Sequence, residues 1–123
     1  LKLPNFRVFC GSESFLLQNM EAGGAGCISA TANVNSLAIN ELFLNWTMPG
    51  AAQKQKEINE IRDIFQHYPM IPALKEAIAL NNEDAEWSRV RPPLVSLSRR
   101  QSDALKMELE QVSFTMNNLF SRQ

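Results

Sequence analysis

The chain has 123 residues, 45% hydrophobic and 20% charged, which is the content of one soluble globular domain with a modest core. Twelve Lys and Arg against 13 Asp and Glu leave a formal charge of -1, so the charge balance gives no reason to expect nucleic acid or an anionic membrane as partner. The apolar runs fall well short of the roughly 20 residues that span a bilayer, and no basic, apolar, small-residue leader precedes the first element; the expectation is a cytoplasmic protein.

In chain order, Phe6 to Cys10 (FRVFC) is rich in β-formers and stops at Gly11. SESFLLQNMEAGG then predicts a short helix closed by glycine, with Phe15, Leu16, Asn19 and Met20 on the face toward a sheet. GCISA, Gly26 to Ala30, predicts a second short buried strand, and TANVNS its exit loop. Asn35 or Ser36 is placed to cap the next helix, whose stripe is Ile39, Leu42, Phe43 and Trp46 and which ends at MPG, Met48 to Gly50. This β-α-β-α order makes the two strands parallel through a right-handed crossover.

Beyond Gly50 the strand signal fades. Ile58, Ile61, Ile64 and Phe65 mark an amphipathic helix, and a second starts with Pro72 in its first turn and carries Leu74, Ala77 and Ile78. NNEDAEW reads as a polar loop, VRPPLVSL as extended because each proline restricts the residue before it, and Ser98 with Gln101 as the capping box of a last helix. Two parallel strands cannot close a sheet, so further strands are expected from elsewhere; the first residue is Leu, not Met, which hints at processing or truncation.

Cys10 and Cys27 lie in the strand-like runs, not at metal-ligand spacing, and read as small buried hydrophobes. With a single histidine, His67, beside Tyr68 and Pro69 at a helix end, no metal site and no cofactor are expected. A phosphate-binding loop at GGAGCI is excluded by its missing third glycine, by the lack of a Lys-Ser/Thr pair and by glycines that precede the strand instead of following it. Ser12 is no nucleophile elbow, since FCGSESF lacks G-x-S-x-G and His67 lies on a different helix.

The order of these motifs resembles the segment that carries the seventh and eighth strands of the dihydrodipicolinate synthase and N-acetylneuraminate lyase family of (β/α)8-barrel (TIM-barrel) aldolases. Gly11, Ser12 and Glu13 match the glycine and two polar residues that close one strand; Gly23, Gly26, Ile28, Ser29 and Asn33 match its G-x-x-G-x-I-S-x-x-x-N pattern. YPMIPALKEAIA and VRPPLVSLS resemble the family's C-terminal helical extension. The resemblance implies an α/β fold: residues 1–50 as the last two βα units of the barrel and 51–123 as the helical extension.

It also implies a function. In that family a strand-end lysine forms a Schiff base with pyruvate or another 2-oxo acid and a tyrosine moves protons, so a carbon-carbon bond is made or broken through an enamine. Both residues would precede Leu1; Lys2 comes before the first strand, and Lys54, Lys56, Lys75 and Lys106 sit on helical segments, so no catalytic residue is assigned within the chain. The resemblance places Gly11, Ser12, Glu13, Ile28, Ser29 and Ala30 on one wall of the substrate pocket, with the Ile28 carbonyl beside pyruvate and with Glu13 and Ala30 toward the rest of the substrate. Where sugar-acid lyases often carry serine this chain has Ala30, which argues against sialic acid. The complete parent is expected to be a homo-oligomer, a tetramer or dimer. The competing expectation is a non-catalytic fragment or assembly module that lacks the lysine.

Overall fold

In the computed structural model of the protein, which describes residues 3–116, the order is β1 (Phe9–Cys10), α1 (Leu16–Glu21), β2 (Gly26–Cys27), α2 (Ala32–Leu44), α3 (Ala51–Gln66), α4 (Met70–Asn82) and α5 (Arg99–Gln111). The chain divides into two compact units, Leu1–Asp63 and Ile64–Gln123, with the boundary inside α3. Among the described residues no helix is long and apolar enough to cross a membrane.

β1 and β2 pair in parallel, with Phe9 opposite Gly26 and Cys10 opposite Cys27, as the crossover predicts. The strands are shorter than expected. The Ala25 N–H donates to the Val8 carbonyl and the Ile28 N–H to the Cys10 carbonyl, but past Ile28 the backbone turns, with Ala32 N–H bonded to Ser29 O and Asn33 N–H to Ala30 O. Each segment is extended only where the other supplies a ladder partner.

α1 closes as its glycine signal predicts: Gly23 takes φ 83 just past the helix, a conformation that strains any residue with a Cβ. Asn19 then ties the helix to both strands, its amide donating to Val8 O at 3.2 Å and to Gly26 O at 2.9 Å. Gly24 makes this possible, since a Cβ there would lie 2.2 Å from the Asn19 side chain. Leu16 is fully buried and Met20 packs on the same core, whereas Phe15, expected on that face, is 58% exposed because Glu13–Phe15 forms a 3-10 turn out of phase with α1.

α2 starts earlier than the Asn35 or Ser36 cap predicts. A turn from Ala32 leads into it, and Asn35 (φ -125, ψ 33) marks a kink inside the helix instead of its boundary. Trp46 falls beyond its end, Leu44. Leu16, Ile39, Leu42, Ala51 and Ile58 form the core of this unit. Cys10 and Cys27 are free thiols and only half-buried, less enclosed than small core hydrophobes would be.

In the second unit, Phe65, Ala73, Leu74, Ala77, Leu105 and Leu109 are buried, and Phe65 meets Phe114 edge-on at 6.4 Å. Pro72 sits in the first turn of α4, and the Ser98–Gln101 capping box is fully formed at α5. NNEDAEW is less of a loop than expected: Asn81 and Asn82 complete α4, and Ala85–Ser88 is a 3-10 turn capped by the Asp84 carboxylate. Residues 90–97 carry no helix or strand. His67 lies just past α3, well exposed.

Candidate functional site

The chemistry of the first unit gathers where β1 and β2 end. The backbone leaves β1 through Gly11 and Ser12, and the Ser12 hydroxyl accepts from Ser14 N–H at 3.2 Å, which starts the 3-10 turn. That turn carries Glu13 inward. Its side chain is 1% exposed, and its oxygens are shared among three partners: the Ser29 hydroxyl and Arg62 Nη1 on Oε2, the latter at 2.7 Å, and the Thr31 hydroxyl on Oε1. Arg62 Nη1 also lies 3.3 Å from Ser29 Oγ. Thr31 stands at the N-cap of α2 yet makes no side-chain cap there, because its hydroxyl serves Glu13.

α3 fixes this loop a second time. Gln55 Nε2 donates to the Glu13 carbonyl at 2.9 Å while its Oε1 accepts from Leu17 N–H at 3.0 Å. The same amide donates to Asn59 Oδ1. Gln55, Asn59 and Arg62, at i, i+4 and i+7, thus make a polar stripe on α3 that runs along the exit of β1.

The residues named from the sequence separate into two kinds. Gly11, Ile28 and Ala30 are exposed and Ser12 is half-buried, so they form a surface at the strand exits. Glu13 and Ser29 are hydrogen-bonded to each other beneath it. A Cβ on Gly11 would meet nothing within 4 Å, and its φ is not in the left-handed region, so neither packing nor backbone conformation demands glycine there. Sequence reasoning missed Thr31, Gln55 and Arg62; the legible signal was three polar side chains at helical spacing beside the Ile58 and Ile61 stripe.

A groove of about 240 Å³ lies between the strands and α2, lined by Phe9, Leu16, Cys27, Ile39 and Phe43 together with Ser36 and Asn40. Its lining is mainly apolar and holds no charged side chain, whereas the strand exits gather a carboxylate, a guanidinium and hydroxyls, so the strand exits are the better candidate. Burial, reinforced by Cys10 and by the Glu13 charge, pushes the Cys27 thiol up to about 11, which disfavours the thiolate a nucleophile or metal ligand needs. Among the described residues no group of three His, Cys, Asp or Glu could hold a metal ion. Lys54 and Lys56 lie on α3, Lys75 on α4 and Lys106 on α5, none of them on a strand; Lys2 lies outside the described residues.

A parallel strand pair with its polar groups gathered at the C-terminal ends is how α/β enzymes of barrel type build a pocket wall. The chain belongs to the dihydrodipicolinate synthetase family, whose sequence profile matches residues 2–112. It is 29% identical over 113 residues to the putative 2-dehydro-3-deoxy-D-gluconate aldolase YagE of Escherichia coli K12, covering 89% of this chain and 37% of that one. The crystal structure of YagE in complex with pyruvate superimposes with a TM-score of 0.77 over 89% of this chain and 38% of that one. A 4-hydroxy-tetrahydrodipicolinate synthase of Thermoanaerobacter sp. is 29% identical over 109 residues, 85% of this chain and 36% of that protein. The N-acetylneuraminate lyase of Fusobacterium nucleatum, complexed with pyruvate, shares the fold with a TM-score of 0.78 at 21% identity, covering 90% of this chain and 38% of that one. The chain therefore spans a little over a third of the length of the relatives it matches.

Proposed function

We propose that the chain is the C-terminal portion of a Schiff-base-forming lyase or synthase that makes or breaks a carbon-carbon bond with pyruvate or a related 2-oxo acid. Residues 1–50 supply the last two βα units of a (β/α)8 barrel and 51–123 its helical extension. The complete enzyme is a cytoplasmic homo-oligomer. Gly11, Ser12, Ile28 and Ala30 form one wall of the 2-oxo-acid pocket, with Glu13 and Ser29 at its base. The observation that carries this reading is Gly11: it stands at a strand exit, within a chain of this family, where neither its backbone conformation nor packing within this chain calls for glycine, and a missing side chain there leaves room for a ligand against the backbone.

The chemistry needs an unprotonated amine. It attacks the ketone, water leaves, and the resulting iminium withdraws electrons so that an enamine forms with loss of a proton or of the aldehyde fragment. That lysine and the proton-relaying tyrosine belong to the part of the enzyme preceding Leu1. The absence of a strand-end lysine among the described residues favours the second reading, a non-catalytic or assembly module. Within the first reading, 2-keto-3-deoxy sugar-acid and 4-hydroxy-2-oxoglutarate aldolases stand beside dihydrodipicolinate synthase.

Borohydride reduction in the presence of pyruvate, followed by mass spectrometry, decides between them. The 123-residue chain alone should gain no stoichiometric adduct, because a solvated lysine near pKa 10.4 is about 0.1% or less deprotonated at neutral pH. The polypeptide extended upstream should trap one pyruvate at one lysine. Trapping in neither leaves the module reading, and trapping on a helix lysine of the short chain removes the proposed division of labour.

A further inference from the structure

We infer that Arg62 is a positioning residue for the pocket wall: through Glu13 it clamps the two strand-exit loops together and withdraws the Glu13 carboxylate from the substrate. The inference rests on the reading that these exits line a 2-oxo-acid pocket. Four observations carry it. The Glu13 carboxylate is buried and its oxygens are engaged by Arg62, Ser29 and Thr31, so a substrate hydroxyl does not reach it without opening this cluster. Glu13 follows β1, whereas Ser29 and Thr31 follow β2, so the carboxylate joins two loops 16 and 18 residues apart. Arg62 Nη1 bridges both, 2.7 Å from Glu13 and 3.3 Å from Ser29. Its side chain is 15% exposed and Gln55 already holds the Glu13 carbonyl from the same helix, so the cation is kept in place.

The consequence is a wall without free charge. A guanidinium neutralises the carboxylate at short range, leaving the Gly11 backbone, the Ser12 hydroxyl, the Ile28 side chain and the Ala30 methyl to face the pocket. Such a wall suits an uncharged or apolar segment of the second substrate better than a polyhydroxylated one. Arg62 itself need touch no reacting atom.

The test uses the upstream-extended protein, pyruvate as probe, and the variants Arg62→Met, Arg62→Lys and the double variant Glu13→Gln/Arg62→Met. In Arg62→Met, amide hydrogen exchange of 11–15 and 28–31 should accelerate on the order of tenfold or more, while α5 amides keep their wild-type rates. The pyruvate concentration for half-maximal borohydride trapping should rise roughly 10- to 100-fold with the amount trapped at saturation unchanged. Arg62→Lys, which keeps the charge, should recover part of both effects. If Arg62→Met fails to fold, the double variant, which leaves no unpaired charge, carries the same readings. Wild-type exchange in both loops of a folded variant overturns the inference, as does an equal loss of saturation trapping and affinity. A wild-type protein that traps no pyruvate sinks the functional reading alone, since the exchange measurement does not depend on it.

Discussion

In Leu1–Asp63 the fully buried side chains include Glu13 and Thr31 beside Leu16, Leu42 and Ile58; in Ile64–Gln123 those among the described residues are Phe65, Ala73 and Leu105. The first unit has two short strands and loops to hold, and a two-stranded sheet offers few cross-strand pairs, so buried polar cross-links do the fastening. The second is built mainly of helices, whose backbone bonds are internal, so apolar packing and end caps carry more of it, alongside part-buried bonds from Tyr68 to Glu108 and from Ser102 to Glu76. The polar fastening also sits where substrate chemistry is proposed. Hydrogen bonds to a carboxylate define loop positions more sharply than apolar contact does, at the cost of sensitivity to the loss of any one partner.

The largest effect expected from this contrast is for Glu13→Ala. It leaves the Arg62 guanidinium and two hydroxyls without their common acceptor, and should lower stability by about 3–5 kcal/mol, the range for breaking a buried ion pair on one side. Urea denaturation measures it; a loss below about 1 kcal/mol, the level of an exposed pair, would show that the first unit does not depend on its polar clasp.

In the second unit, a single cap should matter less. Ser98→Ala removes the hydroxyl that accepts from Gln101 N–H at 3.2 Å and should cost about 1 kcal/mol in the same assay. A cost equal to that of Glu13→Ala would erase the distinction between the two regions.

The smallest effect concerns Tyr68, the only tyrosine of the chain. Burial first, then its hydrogen bond to Glu108 Oε1 at 2.6 Å and the Glu108 charge, raise its pKa from 10.0 to about 12. A raised value means that the folded state favours the neutral phenol: the stabilisation is complete below pH 10 and is lost as pH rises toward 12. Absorbance of tyrosinate on alkaline titration should place the midpoint above that of the urea-unfolded chain, and Tyr68→Phe should flatten the alkaline loss of stability. Coincident folded and unfolded midpoints would mean that the Glu108 contact is not maintained.

The sequence alone determined the order of the elements, the parallel pairing, the glycine that ends α1, the proline in α4 and the capping box of α5, because each rests on a local backbone rule. Phe6 to Cys10 and Gly26 to Ala30 were legible as strands but not in their length, since a strand extends only as far as its partner. Asn35 was legible as a break in the helix, but the turn from Ala32 that continues α2 ahead of it was not. Glu13 and Ser29 were legible as residues that follow the two strands, but their direct hydrogen bond was not. Only the tertiary structure brought Arg62 to Glu13 across 49 residues, and only it showed that the Thr31 hydroxyl leaves its own helix cap to serve that carboxylate. Caps, turns and periodicity act within a few residues of one another and can be read along the chain; a buried charge finds its counter-ion through packing, which no local pattern encodes.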